Sequence, residues 1–402
     1  MMPPSDTSNE LAAWLRLSLD TPLAGALRLL RHVGGPQKIF ASPWAVLARH
    51  VEHALARRMA QPPSSQLAAC IEQALQWHAQ EGHAVLPISS PDYPPHLLTI
   101  GDAPLVLYVD GCIASLKQPG IAIVGARRAT IQGCANARAF ACELARQGVS
   151  VISGMAVGID AAAHEGALAA GVGSAGTIAV TGTGLNITYP RAHAALAARI
   201  RQHGALVSEL PLDMPARAHH FPMRNRIVAG LSKGVLVVEA AAQSGSLITA
   251  RLGNETGRDV FALPGSIHSP LARGCHELIR QGAKLVETTE DILNEFQGYP
   301  GSGNARSSAD STSSTRSGRL KRSPSTAATG MAGAAPATGR LAGTLSSASP
   351  LERAMGHDPL SLDALMAHTG LDSAELASQL LALEFSGTVV RLADGRYQRL
   401  RR

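Results

Sequence analysis

Two pairs of arginines set the chemical problem. Arg127 and Arg128 follow Gly125-Ala126, and Arg224 and Arg226 follow Phe221-Pro222-Met223. A guanidinium is a planar fork of N–H donors that matches two phosphate oxygens, so such pairs beside a loop suit a phosphate-rich guest. Ser244-Gly245-Ser246 adds small residues at the start of an apolar helical run, which leaves backbone N–H groups open to an anion. Phe221 is notable in a chain with 3% aromatic residues, and beside His and Arg it is placed to stack on a base. The competing reading is internal pairing, with Glu209 or Glu239 as partners of Arg224 and Arg226 and an inter-loop ion pair for Arg127 and Arg128. Asp160 and His164 lie four apart on one helix face. Capping and internal hydrogen bonding suit them better than acid/base or metal work.

The elements that position these residues alternate between strand and helix. Val235 to Val238 is an unbroken run of Val and Leu, the pattern of a strand buried on both faces. Similar runs occur at 121–124, 149–152, 177–180, 205–208, 260–263 and 284–286, with helical patterns between them. The predicted fold class is α/β with a doubly wound parallel sheet. Ligands of such sheets sit outside the carboxyl ends of the strands. The loops 125–130, 153–160, 181–184, 221–226 and 244–246 are therefore expected along one edge.

The flanks differ in kind. Residues 10 to about 80 carry apolar residues at helical spacing and predict a small helical domain over 1–84, joined through proline-rich residues 90–95 to a sheet domain over 85–297. Its turn His32-Val33-Gly34-Gly35-Pro36 resembles a helix-hairpin-helix grip on DNA backbone, although an accessory helical domain is the favoured reading. Residues 298–350 are rich in Ser, Thr, Ala, Gly and Pro and predict a disordered linker; its basic residues, among them Arg306, Arg316, Lys321 and Arg340, are read as solubilising. Residues 351–402 predict helix, turn, helix and a hairpin turning at Ala393-Asp394-Gly395, a winged helix. Its second helix carries Glu375 and Glu384 and no basic residue, which favours protein contact over duplex reading.

Other function classes find no support. The Gly125 loop is not a GxGxxG fingerprint, and no G-x-S-x-G, HExxH or Walker A run occurs, so no catalytic residue, metal or cofactor is expected. Cys70, Cys112, Cys134, Cys142 and Cys275 form no CxxC pair and read as free thiols of a reducing compartment. No secretory signal and no bilayer-length apolar run is apparent, so the cytoplasm is the expected location and no membrane partner is expected. The net charge of +6 and pI near 9.3 fit an anionic partner, or simply a solvated basic surface.

Seven segments, taken in order, resemble the DNA-processing protein A family (DprA/Smf). They are VGARRAT at 124–130, SGMAVGIDAAAHEGAL at 153–168, GTGLNITYPR at 182–191, SELP at 208–211, FPMRNRIVAGLS at 221–232, VVEAAAQSGSLITAR at 237–251 and GRDVFALPG at 257–265. The resemblance implies a Rossmann-like domain that binds single-stranded DNA, forms homodimers and loads the recombinase RecA in natural transformation. It also implies a pocket in which Arg127, Arg191, Phe221, Arg224 and Arg226 meet the strand, with Arg128 and Asn225 alongside. Gly125, Ser153, Gly154, Gly182, Gly184, Ser244, Gly245 and Ser246 would supply backbone donors. Ala126, Val157 and His276 depart from the residues frequent in the family. The alternative is an enzyme similar to the lysine-decarboxylase-like phosphoribohydrolases, whose PGGxGTxxE motif places a carboxylate on the helix beyond the glycines; Ser244 to Arg251 offers none.

Overall fold

Runs of Val, Ile and Leu build the sheet because each strand is covered on both faces and its successive side chains alternate between them. The computed structural model describes residues 6–296, 351, 355, 359–392 and 395–400. Among these, nine strands form one sheet: β1 (His83–Pro87), β2 (Val106–Gly111), β3 (Gly120–Val124), β4 (Ser150–Ser153), β5 (Thr177–Val180), β6 (Gly204–Ser208), β7 (Gly234–Val237), β8 (Asp259–Ala262) and β9 (Lys284–Leu285). Their spatial order is β1-β2-β6-β5-β4-β3-β7-β8-β9. Ile121 and Ile123 of β3 pack with Ala137, Leu144 and Ile159 of the helices Ile131–Arg146 and Ile159–Ala169. Ala122 and Val124, one residue out of phase, pack on the opposite face with Leu97, Ile227 and Leu231.

From β6 to β9 every pairing is parallel. The chain runs outward from β3 through β4, β5 and β6, then returns to place β7 on the other side of β3. The strand order therefore reverses between β3 and β7, where the loops leaving two adjacent strands diverge and open a crevice.

Two features depart from the predicted all-parallel sheet. β1 and β2 pair antiparallel with each other, and β2 is antiparallel to β6. β1 itself straddles the predicted boundary between the helical domain and the sheet domain at 84/85. Its short apolar run, Ala84-Val85-Leu86, sits between Gly82 (φ +78°) and Pro87 and is buried against β2. The helix between β8 and β9 spans Arg273–Arg280 and is preceded by a turn over 269–272 closed by the Ala272 N–H on the Ser269 carbonyl at 3.1 Å.

The helices at the amino end do not carry a separate core. Leu15, Leu29, Ile39, Met59 and Trp77 belong to one buried cluster with Val85, Tyr108, Ile200 and Leu206 of the sheet layer. The last of these helices, Ser65–His78, is capped by the Ser64 hydroxyl, which accepts from the Leu67 N–H at 3.2 Å.

The carboxyl-terminal unit is built on Leu365, Leu376, Leu380 and Val389. Ser361 caps Leu362–Thr369, Gly370 (φ +69°) ends it, and Asp372 caps Ser373–Phe385. β10 (Val389–Arg391) and β11 (Tyr397–Arg399) form the antiparallel wing. The predicted linker, Ala393 and Asp394 lie outside the described residues.

His164 is fully buried under the sheet, its Nδ1 2.7 Å from the Thr177 hydroxyl. That hydroxyl donates its proton to the Val151 carbonyl at 2.6 Å, so it accepts from His164, which places the imidazole proton on Nδ1. Burial, and then the charge of Arg224, push the His164 pKa down to about 3. The folded state thus resists a proton that the unfolded chain accepts below about pH 6.5. As pH falls from there toward 3, this residue removes up to about 1.4 kcal/mol of stability per unit. Urea midpoints measured from pH 7 to pH 4 should fall more steeply for the parent than for His164→Gln; parallel curves would remove the assignment.

Candidate nucleic-acid interface

At the β3/β7 divergence lies a cleft of about 550 Å³. Gly125, Arg127 and Arg128 enter it from the end of β3, and Ser244, Gly245 and Ser246 from the segment after β7. Phe221, Arg224 and Asn225 reach it from the helix His220–Leu231. Residues far apart in the chain meet there because the two loops leave neighbouring strands in register, Val124 opposite Val237.

Arg127 and Arg128 are exposed. The Arg127 guanidinium lies 5.9 Å from the centre of the Phe221 ring, within cation–π range. Phe221 in turn meets Tyr189 at 5.3 Å between ring centres, tilted by 42°. These three side chains wall a smaller recess of about 120 Å³, shared with Gly154, Val157 and Pro190. Tyr189, 48% exposed, belongs to this wall, although sequence reasoning singled out only its neighbour Arg191. The aromatic residue two places beyond Ile187 in a glycine-bounded loop was the available signal.

Arg224 has a different role from Arg127. It is buried, with Nη1 donating to the carbonyl oxygens of Gly154 and Val180 and Nε 3.1 Å from the Asn225 side-chain oxygen. A Cβ at position 154 would fall 2.2 Å from its Nη2, so the glycine makes room for the guanidinium. Beneath it, Asp160 accepts N–H bonds from Gly154 at 3.1 Å and Ala156 at 3.3 Å. Burial raises the Asp160 pKa above the usual carboxylate range, opposed by the charge of Arg224. Arg224 contributes charge to the cleft from a fixed position.

Arg226 is turned elsewhere. Its Nη2 donates to Glu209 Oε2, and its Nε lies 3.2 Å from Asp102. It does not line the cleft, and the internal pairing considered from the sequence holds for this arginine. Burial raises the Glu209 pKa, and Arg226 opposes that shift. Arg191 is exposed in a short turn, Arg191–His193, and is also absent from the cleft wall.

The expected amide donors are largely taken by internal partners. The Ile131–Arg146 helix already has an anion at its start: Glu239 accepts from the Thr130 N–H at 2.9 Å and its hydroxyl at 2.6 Å. Loop 153–160 is likewise satisfied by Asp160. The Ser153 hydroxyl is spent on the Ile123 carbonyl at 2.7 Å. Gly182 lets the Phe221 ring approach, and Gly184 lets the Pro211 carbonyl approach; a Cβ would come within 3.0 Å and 2.4 Å of them. At 244–246 the space beyond Gly245 is open, but the amides of the helix start Ser246–Glu255 are taken internally: the Ser244 hydroxyl accepts from the Ser246 N–H at 3.3 Å, and the Ser244 and Gly245 carbonyls accept from Leu247 at 3.1 Å and Ile248 at 3.2 Å. The segment borders the cleft as open space beside the arginines and not as a row of free amides. Among the described residues no cluster of three or more His, Cys, Asp or Glu could hold a metal.

Residues 84–297, which carry the sheet from the second residue of β1 through β9 and the whole cleft, match the family of DNA recombination-mediator protein A. The chain belongs to that family. Residues 335–395 match the DprA winged helix domain. Protein Smf of Escherichia coli is 38% identical over 285 residues, 69% of this chain and 76% of the relative. The DNA processing protein DprA of Streptococcus pneumoniae is 47% identical over 205 residues, 51% of this chain and 71% of that protein. The X-ray structure of DprA from the same species superposes with a TM-score of 0.61 at 35% identity, covering 73% of this chain and 99% of that one.

The geometry separates scaffold from contact surface in a testable way. Arg226→Met leaves the mostly buried Glu209 carboxylate without its partner and should cost about 3 kcal/mol in urea unfolding. Gly133→Ala should also destabilise, because its Cβ would fall 2.4 Å from the Glu239 carboxyl carbon and expel it from the helix start. Unchanged unfolding midpoints in both would contradict these roles.

Proposed function

We propose that the cleft binds single-stranded DNA and that the protein acts as a binding and delivery factor rather than an enzyme. The observation that carries this reading is the juxtaposition of exposed Arg127 and Arg128 with the Phe221–Tyr189 wall, beside the open space at Gly245. Guanidiniums take phosphates, and the aromatic edge takes a base face, which an intact duplex keeps stacked inside. Asp160, the one carboxylate lining the cleft among the described residues, uses its oxygens on two loop amides, which disfavours a hydrolytic role. The relatives named as DNA processing proteins support the ligand class. From the family resemblance we further infer delivery of the bound strand to RecA and action as a homodimer during recombination or natural transformation, in the cytoplasm. Arg127, Arg128, Phe221, Arg224, Asn225 and the segment 244–246 are the proposed contacts, with Tyr189 added.

The test is a salt series with a labelled single-stranded oligonucleotide. Arg127→Ala should weaken binding about tenfold at low salt and reduce the salt slope by about 0.7, as expected for one lost phosphate contact. Its melting temperature should match the parent, since the side chain is exposed. Equal affinity in Arg127→Ala and Arg128→Ala would exclude the cleft as the site.

A further inference from the structure

The helices at the amino end carry a second surface of the same chemistry. Between Thr21 and Arg58 the chain holds six Lys or Arg and a single acid, Glu52. The folded helices gather several of them. Arg28, Arg31 and His32 share one side of the helix Leu23–His32 at helical spacing. Arg28 Nη1 donates to the His50 carbonyl at 3.2 Å, and the His32 and His50 rings stack at 4.8 Å. Trp44 is 44% exposed, with the Arg57 guanidinium 5.6 Å from its ring centre and the His53 ring at 6.2 Å. Val51, in the bend between His50 and the helix His53–Met59, lies close to Gly25 of the helix Leu23–His32. Arg49 is exposed in the same segment. Arg58 is taken by Asp20 at 2.8 Å, and Glu52 begins the helix His53–Met59.

A large aromatic left in water costs free energy, and here a guanidinium and an imidazole ring lie beside it. The combination matches what an unpaired polynucleotide offers: a flat base for the indole and phosphates for the guanidiniums. We infer that this face, centred on Trp44 with Arg28, Arg49 and Arg57, is a second contact for single-stranded DNA, on a different surface from the cleft. It rests on the cleft reading only for the identity of the ligand.

The other two tryptophans, Trp14 and Trp77, are 5% and 8% exposed, so Trp44 is the one whose emission a ligand can reach directly. The full chain should be titrated with an oligo-dT of about 30 nucleotides, long enough for more than one site of 4–16 nucleotides. Tryptophan emission and oligonucleotide anisotropy are read together. The expected result is quenching that is reversed by salt and lost in Trp44→Phe. The double variant Arg49→Ala/Arg57→Ala should bind about fivefold more weakly with a shallower salt dependence, while its melting temperature is unchanged. Anisotropy without any emission change would overturn the inference. So would equal quenching by polyglutamate or by blunt duplex, which would mark an acidic-protein or duplex-backbone face. If Arg127→Ala binds as tightly as the parent while Trp44 still responds, the cleft reading falls and this one stands.

Discussion

A guanidinium held away from water by two backbone carbonyls is the constraint on which this site depends. Arg224 joins the end of β5 to the loop after β4 through Val180 and Gly154, and it does so from a helix that arrives much later in the chain. A buried charge is costly unless its donors are satisfied, so the three segments must stay in register for the arginine to remain bonded. Asp160 reinforces the arrangement by tying the same loop from below. The consequence is a rigid floor, over which Phe221, three residues before Arg224, is set against Tyr189.

Internal partners then decide where an anion can bind. Glu239 and Asp160 fill the amide-rich starts that follow β3 and β4, and Ser244 takes the Ser246 and Leu247 amides after β7. The exposed cationic donors of the cleft are therefore Arg127 and Arg128, with the aromatic pair beside Arg127. Side-chain forks beside an aromatic edge suit a chain of phosphates and bases better than a single compact anion.

The fold was largely legible because both faces of the sheet are covered, which imposes unbroken apolar runs on its parallel strands. β1 escaped because three apolar residues after a helix give no period to count. The site was legible as a set of loops, but not residue by residue. Arg127 and Arg226 look alike in sequence, and only the approach of Glu209 and Asp102 separates a contact from a strut. Gly154, Gly182 and Gly184 suggested amide donors, whereas each is glycine because a side chain or carbonyl comes too close for a Cβ. The requirement for small residues is physical in both cases, but its cause lies in contacts across the chain.

The helices at the amino end complete a core that the sheet begins. Tyr108, Ile200 and Leu206 lie in the same cluster as Leu15, Leu29 and Met59. A polypeptide trimmed to start at β1 would present those three residues to solvent as a sticky, greasy flank. Dissection by truncation would then report aggregation in place of recognition, and point changes on the outer face are the cleaner instrument.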